Sequence, residues 1–316
     1  MLKRDEQRLL IKIATLYYEE RQKQSDIAKR LDLSQSFVSR ALARCLKENL
    51  VKISVVQPAN IYLKTEAQLQ ARFGLGQAIV VDVEDPDNDD EIKKSIGSAA
   101  AHYLQTSLNV DDLVGISSWS STIRAMVEEL HPLKTKAKGV VQLLGGVGVN
   151  GSIQATMLTH SLASILNCEA YLLPSQSIER TVEYKQLLLN SKEVSSVVSM
   201  FNEVDLALVG IGMLEPSHLL KASGNYYEED MLEILASKGA VGDICLHYFD
   251  EKGDPVLTDE IDPVIGMELS QVKECPRVIA LAGGAEKAQA IKGALLGNYI
   301  DVLIVDYPTA RMILQS

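Results

Sequence analysis

The sequence predicts an α/β protein in two parts: a small helical module over residues 1–57, then a larger parallel-sheet domain over 58–316. Three observations carry this. Residues 21–50 read as two short amphipathic helices around a tight turn. From residue 78 onward, short continuous apolar runs alternate with longer runs of helical period. That is the pattern of a parallel sheet covered on both faces. Charge also changes sign along the chain. Residues 1–55 hold twelve Lys/Arg against seven Asp/Glu, a net +5, while the whole chain is −11 and the remainder −16.

The elements follow in order. A first helix is expected from about Asp5 to Glu20, with Leu9, Ile13, Leu16 and Tyr17 as its apolar stripe. The next helix places Ile27, Ala28 and Leu31 on one face. Asp32, Leu33 and Ser34 form a turn, and the Ser34 hydroxyl is suited to cap the following helix. That helix buries Val38, Ala41, Leu42 and Cys45 and leaves Gln35, Ser36, Ser39, Arg40 and Arg44 outward. This is the layout of a helix-turn-helix, whose second helix enters the DNA major groove. A solvated helical hairpin is the alternative. The local excess of positive charge favours DNA, because a basic module gains affinity by releasing counterions from the polyanion. The candidate DNA-binding residues are Gln24, Gln35, Ser36, Ser39, Arg40 and Arg44.

Val51–Val56 reads as a short strand, a candidate wing beside the DNA, and Pro58 and Asn60 break the pattern at the domain boundary. A connecting or dimerising helix is expected over 61–73, with Leu63, Ala67, Leu69 and Phe73 for packing. Strands are expected at 78–83, 112–117, 140–145, 169–174, 205–212, 277–284 and 302–306. Helices are expected at 90–107, 121–130, 153–167, 180–200, 227–237 and 285–296. A hairpin is expected over 247–257, turning at Lys252-Gly253.

Composition narrows the class. A chain of 316 residues with 47% apolar content can bury a sizeable core. Its apolar runs fall short of the roughly 18 residues that a membrane span needs. The charged opening MLKRDEQR argues against a secretory signal. Cys45, Cys168, Cys245 and Cys275 are far apart and form no CxxC pair, so free thiols in a reducing cytoplasm are expected.

In an open parallel sheet, ligands bind outside the carboxyl ends of the strands. Four such ends are rich in small or hydroxyl residues: GISSWSST (115–122), LLGGVGVNGS (143–152), GIG (210–212) and AGGAEK (282–287). Such turns expose backbone amides at helix starts and suit an anion. Ser118, Ser120, Ser121 and Thr122 can add hydroxyl donors, and Lys287 a cation. Asp205, Asp243 and Asp306 near strand ends can accept from ligand hydroxyls or serve as caps and turn formers. Trp119 can stack on a sugar face or plug the pocket wall. Catalytic signals are weak. The five histidines lack metal-ligand spacing, and HExxH, GxSxG and GxxxxGK[ST] are absent. No catalytic residue, metal site or cofactor is expected.

The residues carry a resemblance. QSDIAKRLDLSQSFVSRAL (24–42) is similar to the DNA-binding motif of the SorC family of bacterial transcriptional regulators. LVGIS (113–117), VVQLLGG (140–146), LALVGIG (206–212), AVGDICLHYFDEKG (240–253) and the block 280–314 resemble that family's sensor domain, in order. The resemblance implies a winged helix-turn-helix followed by a Rossmann-like sugar-binding domain, similar in fold to sugar-phosphate isomerases, glucosamine-6-phosphate deaminases and CoA transferases. It implies control of a carbohydrate catabolic operon by a sugar or sugar-phosphate effector, and no enzyme activity. The implied partners are double-stranded operator DNA, the effector, and further copies of the chain in a dimer or tetramer. RNA polymerase is a further candidate partner, and no membrane is involved. By position, the family's effector loop falls on Ser117, Ser118, Ser120, Ser121 and Thr122, with further contacts on Gly145, Gly146, Asp243 and Lys287. SSWSST reads one residue longer than the compact loop of many members. The alternative function is a sugar-phosphate isomerase- or deaminase-like enzyme with a DNA-binding appendage.

Overall fold

A computed structural model describes residues 4–51, 61–147, 152–258 and 260–316. The chain separates into two compact units, Met1–Ala59 and Asn60–Ser316. Among the described residues no helix is long and apolar enough to cross a membrane.

The first unit is helical. α1 (Arg4–Ala14) runs into a π turn over Thr15–Glu19, and is followed by α2 (Gln24–Arg30) and α3 (Gln35–Lys47). Leu10, Ile13, Leu16, Ile27, Val38, Leu42 and Cys45 are buried together; Ile13 and Leu16 of the expected stripe lie in this core, Leu9 and Tyr17 pack at its edge, and Leu10, outside the expected stripe, is buried instead. Asp32 takes a left-handed conformation in the turn, φ +55°, which Asp tolerates better than most side chains. The Ser34 hydroxyl accepts from the Phe37 amide at 3.2 Å and caps α3. The expected strand over 51–56 and the boundary at Pro58 and Asn60 fall largely on residues 52–60, outside the described residues.

The second unit opens with α4 (Leu63–Phe73), then β1 (Gln77–Val81), α5 (Asp89–Ser107), β2 (Leu113–Ile116), α6 (Ser121–Glu129), β3 (Gly139–Gln142), α7 (Ser152–Ile165) and β4 (Glu169–Tyr171). It continues through α8 (Val182–Leu189), α9 (Lys192–Val198), β5 (Leu206–Gly210), β6 (Gly212–Met213), α10 (His218–Ser223) and α11 (Glu229–Ser237). β7 (Ala240–Ile244), β8 (His247–Asp250), α12 (Leu269–Glu274), β9 (Val278–Leu281), α13 (Ala288–Leu296), β10 (Val302–Asp306) and α14 (Tyr307–Gln315) complete it. The main sheet has the order β1-β10-β9-β5-β2-β3-β4, with every pair parallel. Its seven strands are the seven expected from apolar runs.

The alternation of side chains explains why those runs are continuous. Leu113, Val141, Ala207, Val209, Leu303 and Val305 belong to one core. Their chain neighbours Val114, Val140, Leu206, Leu208, Val302 and Ile304 belong to another. Successive residues point to opposite faces of a sheet, and here each face is covered. α4 docks inside this unit. Leu69 is fully buried, Glu66 accepts from the edge amide of Val80 at 3.0 Å, and Arg72 donates to the Leu314 carbonyl of α14 at 2.6 Å.

One feature departs from expectation. A second, antiparallel sheet of order β6-β7-β8 lies beside the main one. Its hairpin turns at Cys245-Leu246, between β7 and β8, with φ of +52° and +64°. Neither residue is a usual turn former, so composition did not flag it. The Lys252-Gly253 turn does form, with Gly253 at φ +87°, but it closes only an isolated bridge between Phe249 and Pro255.

Candidate functional site

In the first unit the exposed face of α3 carries Gln35, Ser36, Ser39 and Arg40. Gln24 opens α2 and is half-buried. The Arg40 Nε rests on the Ser36 carbonyl at 3.3 Å, one turn earlier. Arg44 behaves differently from expectation. Its guanidinium donates to Glu48 and to Glu6 of α1, each at 2.6 Å. The i,i+4 spacing to Glu48 and the packing of α1 on α3 account for both bonds. Arg44 therefore ties two helices together, and its charge is matched locally.

In the second unit the strand order reverses between β2 and β5. β2 leads through β3 to β4 on one side, and β5 lies on the other. A ligand crevice is expected at the carboxyl ends of two such strands. A cleft of ≈ 100 Å³ opens there. Its wall is built from the loop after β2 (Ser117, Trp119 to Thr122), the Gly210–Met213 segment, Asp243, Cys245 and Leu246 of the hairpin, and Lys287.

Close packing shapes this cleft. A Cβ on Gly212 would stand 1.9 Å from the Asp243 carboxylate, and one on Gly210 would stand 2.9 Å from the Ser120 hydroxyl. The two glycines let both polar groups approach the strand end. The Ser120 hydroxyl accepts from the Ile123 amide at 3.2 Å and caps α6, so the positive end of that helix faces the cleft. Asp243 accepts from the Leu246 amide at 2.9 Å. Burial pushes the Asp243 carboxyl up to about 6, against the opposing influence of the Leu246 amide, Lys287 and His247. Burial also lowers the Lys287 ammonium, and Asp89, Glu286 and Asp243 counter it. Among the described residues the cleft thus brings together the Lys287 ammonium, the buried Asp243 carboxylate, hydroxyls and helix amides, with Glu215 at its rim.

Three expected residues stand apart from the cleft lining. Ser118 is buried and pairs with the Thr159 hydroxyl at 2.9 Å. Gly145 packs against the Gln176 backbone, where a Cβ would come within 2.1 Å, and its carbonyl accepts from Trp119 Nε1 at 3.0 Å. Gly146 packs on the Gln142 side-chain amide. Trp119 is therefore tethered in the wall by its indole N–H and is only 6% exposed. Of the three carboxylates near strand ends, Asp205 holds the Leu113 amide at 2.9 Å, and Asp306 holds the Gly284 and Thr309 amides, each at 2.9 Å. Only Asp243 faces the cleft.

The sequence reading missed Cys245, Leu246 and the rim residue Glu215, which forms an ion pair with Lys221 at 3.0 Å. It also missed a buried polar cluster around His247. His247 Nδ1 lies 2.7 Å from Asp262, whose backbone carbonyl accepts from the buried Lys185 at 3.1 Å. His102 and His160 are exposed on helices. Among the described residues no group of His, Cys, Asp and Glu is placed to hold a metal ion.

Comparison with known proteins places these features. The Sugar-bind family of sugar-binding domains matches residues 57–315. The deoxyribonucleoside regulator of Bacillus subtilis is 31% identical over 319 residues, covering 99% of each chain. The crystal structure of the full-length sorbitol operon regulator SorC from Klebsiella pneumoniae superposes with a TM-score of 0.72 at 28% identity, covering 97% of this chain and 98% of that one. The chain belongs to the SorC family of sugar-responsive transcriptional regulators. The sugar-binding domain of the transcriptional regulator DeoR from Pseudomonas syringae pv. tomato is 50% identical, with a TM-score of 0.64 over 80% of this chain and 98% of that one. As a SorC-family member the protein is a DNA-binding regulator with a sugar-binding sensor domain, and the α/β architecture with its parallel sheet is the family's own.

Proposed function

We propose that this regulator controls a carbohydrate catabolic operon, and that a phosphorylated sugar in the β2–β5 cleft changes its affinity for operator DNA. The cleft is the observation that carries the reading. Lys287 and the amino end of α6 suit a phosphate. Asp243 suits the donors of a sugar, since an ionised carboxylate accepts only. Ser117, Ser120, Ser121 and Thr122 add hydroxyls. Gln35, Ser36, Ser39 and Arg40 read bases, with Gln24 beside them. The domain boundary falls near residue 57.

The protein acts as a sensor and not as an enzyme. Asp243 is engaged by the Leu246 amide, as befits a binding group, and the relatives are named as regulators. A single helix-turn-helix covers one half-site, so a dimer or tetramer supplies the specificity an operator needs. The reading places the protein in the cytoplasm, with RNA polymerase as a candidate partner. The test is a thermal-shift screen of sugars, polyols and their phosphates, because a ligand that binds the native state alone raises Tm. A shift by a sugar phosphate with no product on prolonged incubation supports the sensor. Turnover of the ligand would favour the enzyme.

A further inference from the structure

We propose that Phe37 reads the C5-methyl group of a thymine in the DNA major groove. The proposal rests on the DNA reading of α3 given above and adds a base contact of a different chemistry.

Of the four phenylalanines in the chain, Phe201 and Phe249 are 1% and 0% exposed, whereas Phe37 is 38% exposed. Among the described residues the core of the first unit forms from α1, α2 and α3 with Leu9, Tyr17, Tyr18, Leu31 and Leu33 packed around it, and Phe37 is not part of that cluster. Ile11 and Leu46 of the same unit are also exposed, at 50% and 40%, so exposure alone assigns the ring no role.

Its position supplies one. Phe37 is the third residue of α3, in the turn that carries Gln35 and Ser36. The bond from its amide to the Ser34 hydroxyl fixes that turn. At 3.6 residues per turn, Phe37 lies roughly 60° around the helix from Arg40, at the border of the Ser36–Arg40 row. The amino-terminal residues of a recognition helix meet base edges. Among those edges in the major groove, only thymine presents an apolar group, its 5-methyl, and Phe is suited to meet it. The polar residues beside Phe37 would read hydrogen-bonding edges. Phe37 would then discriminate thymine from cytosine and from uracil.

Methyl removal provides the test. The full chain first selects its site from a random duplex library. Each thymine of the selected site is then replaced singly by deoxyuridine, which keeps every hydrogen bond and loses only the methyl. The wild type is expected to lose roughly three- to five-fold in affinity at one thymine per half-site, the value of one buried methyl group. Phe37→Ala should bind the thymine and deoxyuridine forms of that position equally, and Phe37→Leu should keep part of the difference. If Phe37→Ala proves misfolded by circular dichroism, the wild-type scan and Phe37→Leu still decide. A scan with no methyl-sensitive thymine, or one unchanged in Phe37→Ala, overturns the proposal. So does a change of oligomeric state in Phe37→Ala, which would assign the ring to a protein interface. Selection that yields no preferred sequence would overturn the DNA reading of α3 itself.

Discussion

The carboxylate of Asp243 accepts a hydrogen bond from the amide of Leu246 at 2.9 Å, across a two-residue turn in which Cys245 and Leu246 both have positive φ. Left-handed backbone at non-glycine residues costs roughly 1–2 kcal/mol each, and a turn of this kind usually carries Asn-Gly. Here both turn residues are buried, at 3% and 2% exposure, and both line the cleft. The hairpin therefore holds an unfavourable backbone in place with a carboxylate that also faces the cleft. Such outliers concentrate at ligand sites.

Stability should depend on pH through Asp243. Its folded-state pKa of about 6 lies above the usual 3.8, mainly because of burial. A raised acid favours folding below its unfolded pKa, and that contribution is lost as pH rises through the folded value. Asp243→Asn should therefore stabilise the protein at pH 7, on the order of 2–3 kcal/mol, and this gain should vanish near pH 4. Asp243→Ala leaves the buried Leu246 amide without its acceptor and should be roughly 1–3 kcal/mol less stable than Asp243→Asn at any pH. Denaturant titrations of the three proteins at pH 4 and pH 7 check both statements. Equal pH slopes for the wild type and Asp243→Asn would show that Asp243 is not the titrating group.

Gly212→Ala should disable the sensor while leaving DNA binding intact. Its Cβ would fall 1.9 Å from the Asp243 carboxylate, so the carboxylate must swing away from both Leu246 and the cleft. Loss of the thermal shift by sugar phosphate, with unchanged operator affinity, is the expected outcome. A full ligand response in this variant would mean that Asp243 does not touch the effector.

The sheet and its helices were legible because parallel strands covered on both faces must be apolar at every position. Val278, Ile279, Ala280 and Leu281 of β9 alternate between the two cores, and a continuous run is the result. The Ser34 cap was legible from its place before an amphipathic helix. The Cys245-Leu246 turn was not, because tertiary burial and the Asp243 carboxylate stabilise a backbone that those residues do not prefer. Likewise the distinction between Ser118 and Ser120 depends on Thr159, 41 residues away. In the loop, composition marks hydroxyls but not the direction in which each one points.

The DNA face should separate Arg40 from Arg44. Arg40→Ala removes a side chain able to bond a guanine edge, and should weaken specific binding by roughly 1–3 kcal/mol with relaxed preference at one base position. Arg44 is held by Glu6 and Glu48. Arg44→Ala should leave base preference unchanged and loosen the packing of α1 on α3. Sequence selection with each variant decides, and a changed base preference in Arg44→Ala would return that residue to the reading face.

Lys287 should discriminate phosphorylated from neutral ligands. Lys287→Gln should weaken a sugar phosphate by about ten- to a hundred-fold, the range of a charge-assisted hydrogen bond, and its unphosphorylated parent far less. Ser120→Glu should also abolish the response by placing a carboxylate at the cleft, although it removes the α6 cap at a cost of about 0.5–2 kcal/mol. Isothermal titration of both variants with the phosphorylated and neutral forms of one sugar makes the comparison. Equal losses for the two forms in Lys287→Gln would move the phosphate elsewhere.

The central claim is that occupancy of the β2–β5 cleft by a phosphorylated sugar changes operator affinity. A ligand can shift DNA binding only by binding two arrangements of the protein unequally. Fluorescence anisotropy of labelled operator, titrated with the full chain with and without a saturating sugar phosphate, measures that difference directly. The account predicts a change in Kd of at least about five-fold, the lower end of common coupling strengths. An unchanged Kd at a ligand concentration that saturates the thermal shift, or a response to neutral sugars with none to their phosphates, would contradict it.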